Sequence, residues 1–188
     1  MASCVDLLAG IQASCDGLNK VGGVNKRVWI GQLSQVTGYS QDVNGNIETI
    51  TMADDASSNP YTLKKFTDKK NKNNGTYELT AGDNVNTFNT SFNLEVFHYT
   101  QEDRENLEAL INADDVFVIS QTDAGQIEVF GIDEGLNASA GSGGTGTNLQ
   151  DKTSFTLTLS GEQRKLPYLF LNGGTLATSI SYLDGISE

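Results

Sequence analysis

The chain has 188 residues, which fits a single domain with or without terminal arms. Its 24 acidic and 12 basic side chains give a formal net charge of −12, which argues against a nucleic-acid-binding surface because phosphate contacts need Lys and Arg. No apolar stretch reaches the roughly 18 to 20 residues that a membrane span requires. Asp6 lies where a signal peptide would be apolar. We therefore expect a soluble protein that is made in the cytoplasm.

The first 25 residues are predicted to form an N-terminal arm. Glycines separate short apolar pieces, such as Leu7, Leu8 and Ile11, that offer too little apolar surface to fold alone. Cys4 and Cys15 are either free thiols, as expected in a reducing cytosol, or a disulfide formed after exposure to an oxidising medium. Their separation fits no zinc site, so a structural metal is not expected.

Runs of β-branched and aromatic residues between turn signals predict a series of strands. In chain order these are residues 27–33, 47–52, 61–66, 76–80, 86–97, 115–121, 126–132 and 153–160. Asn44-Gly45 and Thr122–Gly125 are typical of hairpin turns. The lysine-rich stretch Lys69–Gly75 and the glycine-rich stretch Ala140–Thr147 predict a solvated loop and a flexible loop.

The predicted strand at 86–97 is long and alternates. Phe92, Leu94 and Val96 fall on one face, while polar residues such as Asn93 fall on the other. This pattern is typical of an antiparallel strand with one buried face.

One helix is predicted after that strand. Thr100 is a suitable N-cap, Leu107 and Leu110 lie on one helical face, and Asn112 ends the segment. Residues 171–188, with Gly173-Gly174 and little charge, are predicted to be a second arm. The fold class that follows is mainly β, an antiparallel β-sandwich or barrel at 26–170 with one flanking helix and extended arms at 1–25 and 171–188.

The candidates for catalysis or ligand binding all have simpler explanations. His98 is the single histidine, which excludes a multi-histidine metal site and leaves a Ser-His-Asp arrangement without a motif. Gly141–Thr147 lacks the lysine of a phosphate-binding loop. Asp114-Asp115 and Asp133-Glu134 lack the alternating spacing of a calcium loop. We predict no catalytic, cofactor-binding or metal-binding residues, and no enzyme.

Charge is distributed unevenly along the sequence. The stretch from Gln101 to Gly135 has ten acids and the single base Arg104, whereas Tyr61 to Lys72 has five lysines and the single acid Asp68. One interpretation is an acidic protein with an isolated basic loop. The other is head-to-tail association between copies, together with an acidic surface that does not adsorb DNA.

A family resemblance rests on motifs spread over most of residues 1–170. They are Cys4 with Gly10–Leu18, Gly22–Gly31, Asp115–Ile119, Phe155–Leu159 after a Gly-Thr-Gly loop, and Lys165–Tyr168. Their order resembles tail-tube-like virion structural proteins of phages that infect Bacteroidetes-type bacteria. The tail beyond Tyr168 and the lysine-rich loop depart from that pattern.

The resemblance implies a non-enzymatic virion subunit located in the phage tail. Such subunits form a ring, commonly hexameric, in which the sheets of neighbouring copies join and a helix lies outside. The rings stack, arms bridge them, and DNA passes through without sequence-specific binding. The implied partners are further copies of the chain and other tail or head–tail connector proteins. The alternatives are a connector or ring protein, a capsid decoration protein, or a monomeric β-sandwich module that binds carbohydrate.

Overall fold

A computed structural model describes residues 23–67, 72–82, 85–96, 100–144 and 154–188. They form three layers, two sheets and a third layer made of a hairpin and a helix. The predicted mainly β, antiparallel sandwich with a flanking helix is confirmed. The predicted N-terminal arm lies almost wholly outside the described residues.

The middle layer is a five-stranded sheet with the order β11-β8-β7-β1-β4. Its strands are β1 (Val24–Gln32), β4 (Lys64–Thr67), β7 (Val116–Thr122), β8 (Ile127–Phe130) and β11 (Tyr168–Leu169). All adjacent pairs are antiparallel. Val116 to Gln121 of β7 are all buried, since both faces of this sheet are covered by other layers.

The second layer is a four-stranded antiparallel sheet with the order β5-β6-β10-β9. Its strands are β5 (Asn74–Thr80), β6 (Thr87–Val96), β9 (Asn137–Gly144) and β10 (Ser154–Gln163). Strict alternation in β6 and β10 places Phe92, Leu94, Leu157 and Leu159 against the middle sheet, where all four are buried. We call this contact the first core.

The first helix, α1 (Gln101–Ile111), closes one side of the first core. Thr100 and Asp103 form a capping box: each side chain accepts a hydrogen bond from the other residue's backbone N–H. Leu107 and Leu110 are buried among the residues of the first core, as their spacing predicted. Asn112 ends the helix.

The third layer covers the opposite face of the middle sheet. It consists of the hairpin β2 (Val36–Gln41) and β3 (Ile47–Met52), connected by the predicted Asn44-Gly45 turn, and the helix α2 (Leu176–Gly185). Between this layer and the sheet lies a second core, which includes Trp29, Phe117, Ile47, Phe170 and Leu183.

The C-terminal segment differs from the expected extended arm. Thr175 caps α2, and Leu183 is fully buried in the second core. The hydroxyl of Tyr182 donates to the Ile50 carbonyl (2.9 Å) and lies 3.2 Å from the Ile50 N–H, which donates to it. The segment therefore belongs to the folded domain, because its apolar residues have the spacing of a helix.

The glycine-rich stretch also differs from its prediction. Ala140–Gly144 is not a loop but the second half of β9, paired with β10. A Cβ at Gly141 or Gly143 would lie 2.6 Å from the ring of Phe155. Glycine suits both positions because the aromatic ring lies across the backbone of β9, and a larger residue would have to displace that ring.

Candidate functional surface

One face of the four-stranded sheet is polar over its whole extent, and we call it the polar face. Apart from Ser139 at the bulge of β9, alternation places on it every residue of the four strands that does not point toward the first core. These residues are Asn74, Thr76, Glu78, Thr80, Thr87, Asn89, Ser91, Asn93, Glu95, Asn137, Ala140, Ser142, Gly144, Ser154, Thr156, Thr158, Ser160 and Glu162. Hydroxyl and amide side chains make up most of this list.

Side-chain hydrogen bonds connect neighbouring strands across the polar face. The amide of Asn93 donates to Asn74 Oδ1 on β5 (3.1 Å), and the hydroxyl of Thr158 on β10 donates to Asn93 Oδ1 (2.7 Å). Thr76 and Ser91 share a further hydrogen bond of 3.1 Å. These bonds use up part of the donor and acceptor capacity of the face and hold its side chains in place.

The charge of the polar face is negative. Glu78, Glu95 and Glu162 lie on it, and none of its described residues is Lys or Arg. Glu95 is buried and accepts a hydrogen bond from the Ser154 hydroxyl (2.8 Å), while Glu162 accepts one from Thr87 (2.5 Å). The part of the face that the structure describes therefore offers no cation to a phosphate group.

Both edges of the four-stranded sheet are long and open within the described part of the chain. Its outer strands are β5, with seven residues, and β9, with eight residues. Open edges present unpaired backbone N–H and C=O groups that pair readily with a strand of another chain.

The edges of the five-stranded sheet are protected by contrast. β11 has only two residues. Next to β4, the C-terminal residues extend the sheet, because Ile186 accepts from the Leu63 N–H (2.9 Å) and Glu188 accepts from the Lys65 N–H (3.1 Å). The edges of the five-stranded sheet are thus short or covered, whereas those of the four-stranded sheet are not. This difference makes β5 and β9 the candidate pairing edges.

The edge strand β5 also carries exposed apolar side chains. Tyr77 is 49% exposed and Leu79 is 62% exposed. Both point to the side of the first core, and they pair with Thr90 and Phe88 of β6. Apolar side chains on an open edge indicate a surface that another molecule covers.

In the acidic pairs Asp114-Asp115 and Asp133-Glu134, three of the four side chains make hydrogen bonds or ion pairs within the domain. Asp115 has a positive φ and exchanges hydrogen bonds with Asn137. Asp133 accepts from the hydroxyls of Tyr39 (2.6 Å) and Tyr168 (3.0 Å). Glu134 forms an ion pair with Arg164. Within the described ranges, no group of three His, Cys, Asp or Glu residues is placed to hold a metal ion.

The remaining residues that the sequence singled out, the cysteines, the histidine and the lysine-rich stretch, fall only partly within the described ranges. Cys4, Cys15 and His98 lie outside the described residues, as do Lys69 and Lys70. Of the remaining lysines in that stretch, Lys64 pairs with Glu188 and Lys65 pairs with Asp184 at 2.7 Å. These two lysines bind the C-terminal segment.

Sequence reasoning did not identify the polar face as a surface. The alternation in residues 86–97 was a signal for it, but only the pairing of β5, β6, β10 and β9 brings the polar residues of four strands together. Neither the open edges nor their protected counterparts can be seen before the strand order is known.

The comparisons with family models, with curated proteins and with solved structures found no match for this chain. Neither of the two helices in the described ranges has the length and apolarity needed to cross a bilayer.

Proposed function

We propose that this chain is a non-enzymatic subunit of a phage virion, most specifically of the tail tube. Its copies join through the edges of the four-stranded sheet into rings, and the stacked rings conduct DNA. The observation that carries this proposal is the pair of long edges, β5 and β9, that no other described residue covers on one sheet, while the other sheet has its edges protected.

The strand directions suit pairing between copies. Three antiparallel pairings separate β5 from β9, so these two strands run in opposite directions. Copies related by rotation about a ring axis keep the same orientation. β9 of one copy would therefore lie antiparallel to β5 of the next, which continues the pattern found inside the subunit.

The dimensions suit a channel for DNA. In a hexamer, the number that the family resemblance implies, six copies with four strands each give 24 strands. At about 4.8 Å between strands, these close into a circle roughly 37 Å across, which strand tilt widens further. Such a circle is wider than a DNA double helix.

The layer order suits a polar channel wall. The middle sheet and the third layer lie on one side of the four-stranded sheet, and they need the greater space available at larger radius. The polar face then points to the channel. Its exposed glutamates, Glu78 and Glu162, repel phosphate, and the absence of Lys and Arg among its described residues leaves DNA without an anchor.

The experiment is assembly of the purified chain, followed by negative-stain electron microscopy and light scattering. We expect rings or tubes with a central channel. The double variant Tyr77→Lys, Leu79→Lys changes two exposed residues of β5 and should abolish the rings, since charges on an edge oppose strand pairing.

The matched control is Val43→Lys. Val43 is fully exposed on the β2–β3 turn in the third layer, so its replacement should leave the rings intact. All variants should keep the free energy of unfolding within about 0.5 kcal/mol of the original chain. The proposal is wrong if the chain stays monomeric at high concentration, or if the Val43 and β5 variants assemble equally well.

A further inference from the structure

A groove at one end of the second core forms a second candidate surface, and unlike the polar face it is mainly apolar. It has a volume of about 210 Å³. Its lining is mainly apolar and includes Ile127, Leu169, Phe170, Leu171 and Leu176. Leu169 is 39% exposed. An apolar cavity of about 150 Å³ admits a benzene-sized group, so this groove has room for a leucine side chain.

The N-terminal segment leaves the domain beside this groove. The carbonyl of Gly23 accepts a hydrogen bond from the Asp123 N–H (2.9 Å). Two residues further on, Gly125 forms part of the groove wall. The 22 residues that precede Gly23 therefore connect to the domain at the rim of the groove.

The chemistry and reach of that segment match the groove. Residues 5–11 read Val-Asp-Leu-Leu-Ala-Gly-Ile, with one charge among four large apolar side chains. Ile11 precedes Gly23 by 12 residues, and an extended chain of that length spans up to about 40 Å. Because the segment is tethered, its effective concentration at the groove is on the order of millimolar.

We propose that the groove is the docking site of this chain's own segment Val5–Ile11, with a leucine of the Leu7-Leu8 pair inserted between Ile127, Leu169 and Leu176. Docking covers the exposed part of Leu169 and fixes the course of the N-terminal segment over the domain. The inference does not depend on the proposed ring.

Disulfide trapping tests the proposal with a cysteine that the chain already has. In a Cys15→Ser background, Leu169→Cys places a thiol in the groove, and Cys4 lies next to Val5. We expect an intramolecular disulfide between residues 4 and 169 under mild oxidation, formed at least ten-fold faster than in the control. Peptide mapping by mass spectrometry identifies the bond.

The control is Ala124→Cys in the same background. Ala124 adjoins the anchor at Asp123 but does not line the groove, so an undocked tether would reach it as readily as residue 169. Adding Leu7→Asp and Leu8→Asp should reduce the rate of disulfide formation between residues 4 and 169 to the rate measured for the control. Mixing chains of normal and heavy isotope composition shows whether the bond joins one chain or two.

The proposal is overturned by equal rates at positions 169 and 124, or by rates that the aspartate pair leaves unchanged. It is also overturned if the bond forms mainly between two chains, which would assign the groove to the segment of a neighbouring copy.

Discussion

At the scale of single residues, Gly31 shows how closely the second core is packed. A Cβ at this position would lie 2.7 Å from the ring of Phe117 and 2.8 Å from Leu63 Cδ2, and both neighbours are fully buried. Gly31→Ala should therefore lower the free energy of unfolding by about 1–3 kcal/mol. Gly38→Ala in β2 is the control, because nothing lies within 4 Å of its added Cβ. Urea denaturation of both variants checks the difference, and equal midpoints would contradict this packing.

Glu128 on β8 should make the stability of the folded chain depend on pH. Burial raises the pKa of its carboxyl above the usual range, because the charged form loses solvation. The folded chain thus binds this proton more tightly than the unfolded chain, so Glu128 lowers stability increasingly as pH rises through the folded pKa. Glu128→Gln, which is always neutral, should be more stable than the original chain at pH 7.

That gain should disappear below about pH 4, where the carboxyl is protonated in both states. Denaturant midpoints at the two pH values measure it, with the exposed Glu78→Gln as the control. A gain that persists unchanged at low pH would show that lost charge is not its cause.

At the scale of elements, α2 holds the third layer on the middle sheet. Leu183 is fully buried in the second core, and the Nε1–H of Trp29 donates to Asp184 of the same helix (3.2 Å). Leu183→Ala should reduce the free energy of unfolding by about 2–5 kcal/mol, since it leaves a cavity. Ser181→Ala on the exposed side of α2 should change it by less than about 0.5 kcal/mol. Thermal denaturation distinguishes the two, and a small loss for Leu183→Ala would mean that α2 is not part of the cooperative fold.

The elements also show what could be predicted from sequence. Alternation of apolar residues was sufficient to predict β6, and helical spacing with an N-cap was sufficient to predict α1. In both elements the buried residues recur with the period of the secondary structure. The helix α2 was missed although Thr175 is a cap and Leu176, Ile180 and Leu183 recur at helical spacing. The Gly173-Gly174 pair favoured the prediction of an extended arm over that of a helix. β9 has almost no intrinsic strand preference, so only its pairing with β10 and the ring of Phe155 explain it.

At the scale of the whole molecule, the chemistry of the polar face predicts whether the proposed tube would adsorb DNA. The proposed tube should not retain double-stranded DNA, because none of the described residues of the face is Lys or Arg. Thr156→Arg with Ser160→Arg adds two cations per copy to the face. These tubes should bind DNA, with an affinity that falls steeply as salt increases. Sedimentation of DNA with tubes at several salt concentrations measures both, and retention of DNA by the original tube would contradict a non-adsorbing channel.

The most direct test of edge-to-edge assembly is cross-linking between β5 and β9 of neighbouring copies. With Cys4 and Cys15 replaced by serine, Glu78→Cys and Ser142→Cys place one thiol on each edge strand, both on the polar face. A bismaleimide that spans neighbouring strands should give a ladder of covalent oligomers that stops at the closed ring, predicted to be six copies of the 20.2 kDa chain. Either single variant should stop at the dimer. If the double variant forms no covalent oligomers larger than those of the single variants, assembly through β5 and β9 is contradicted.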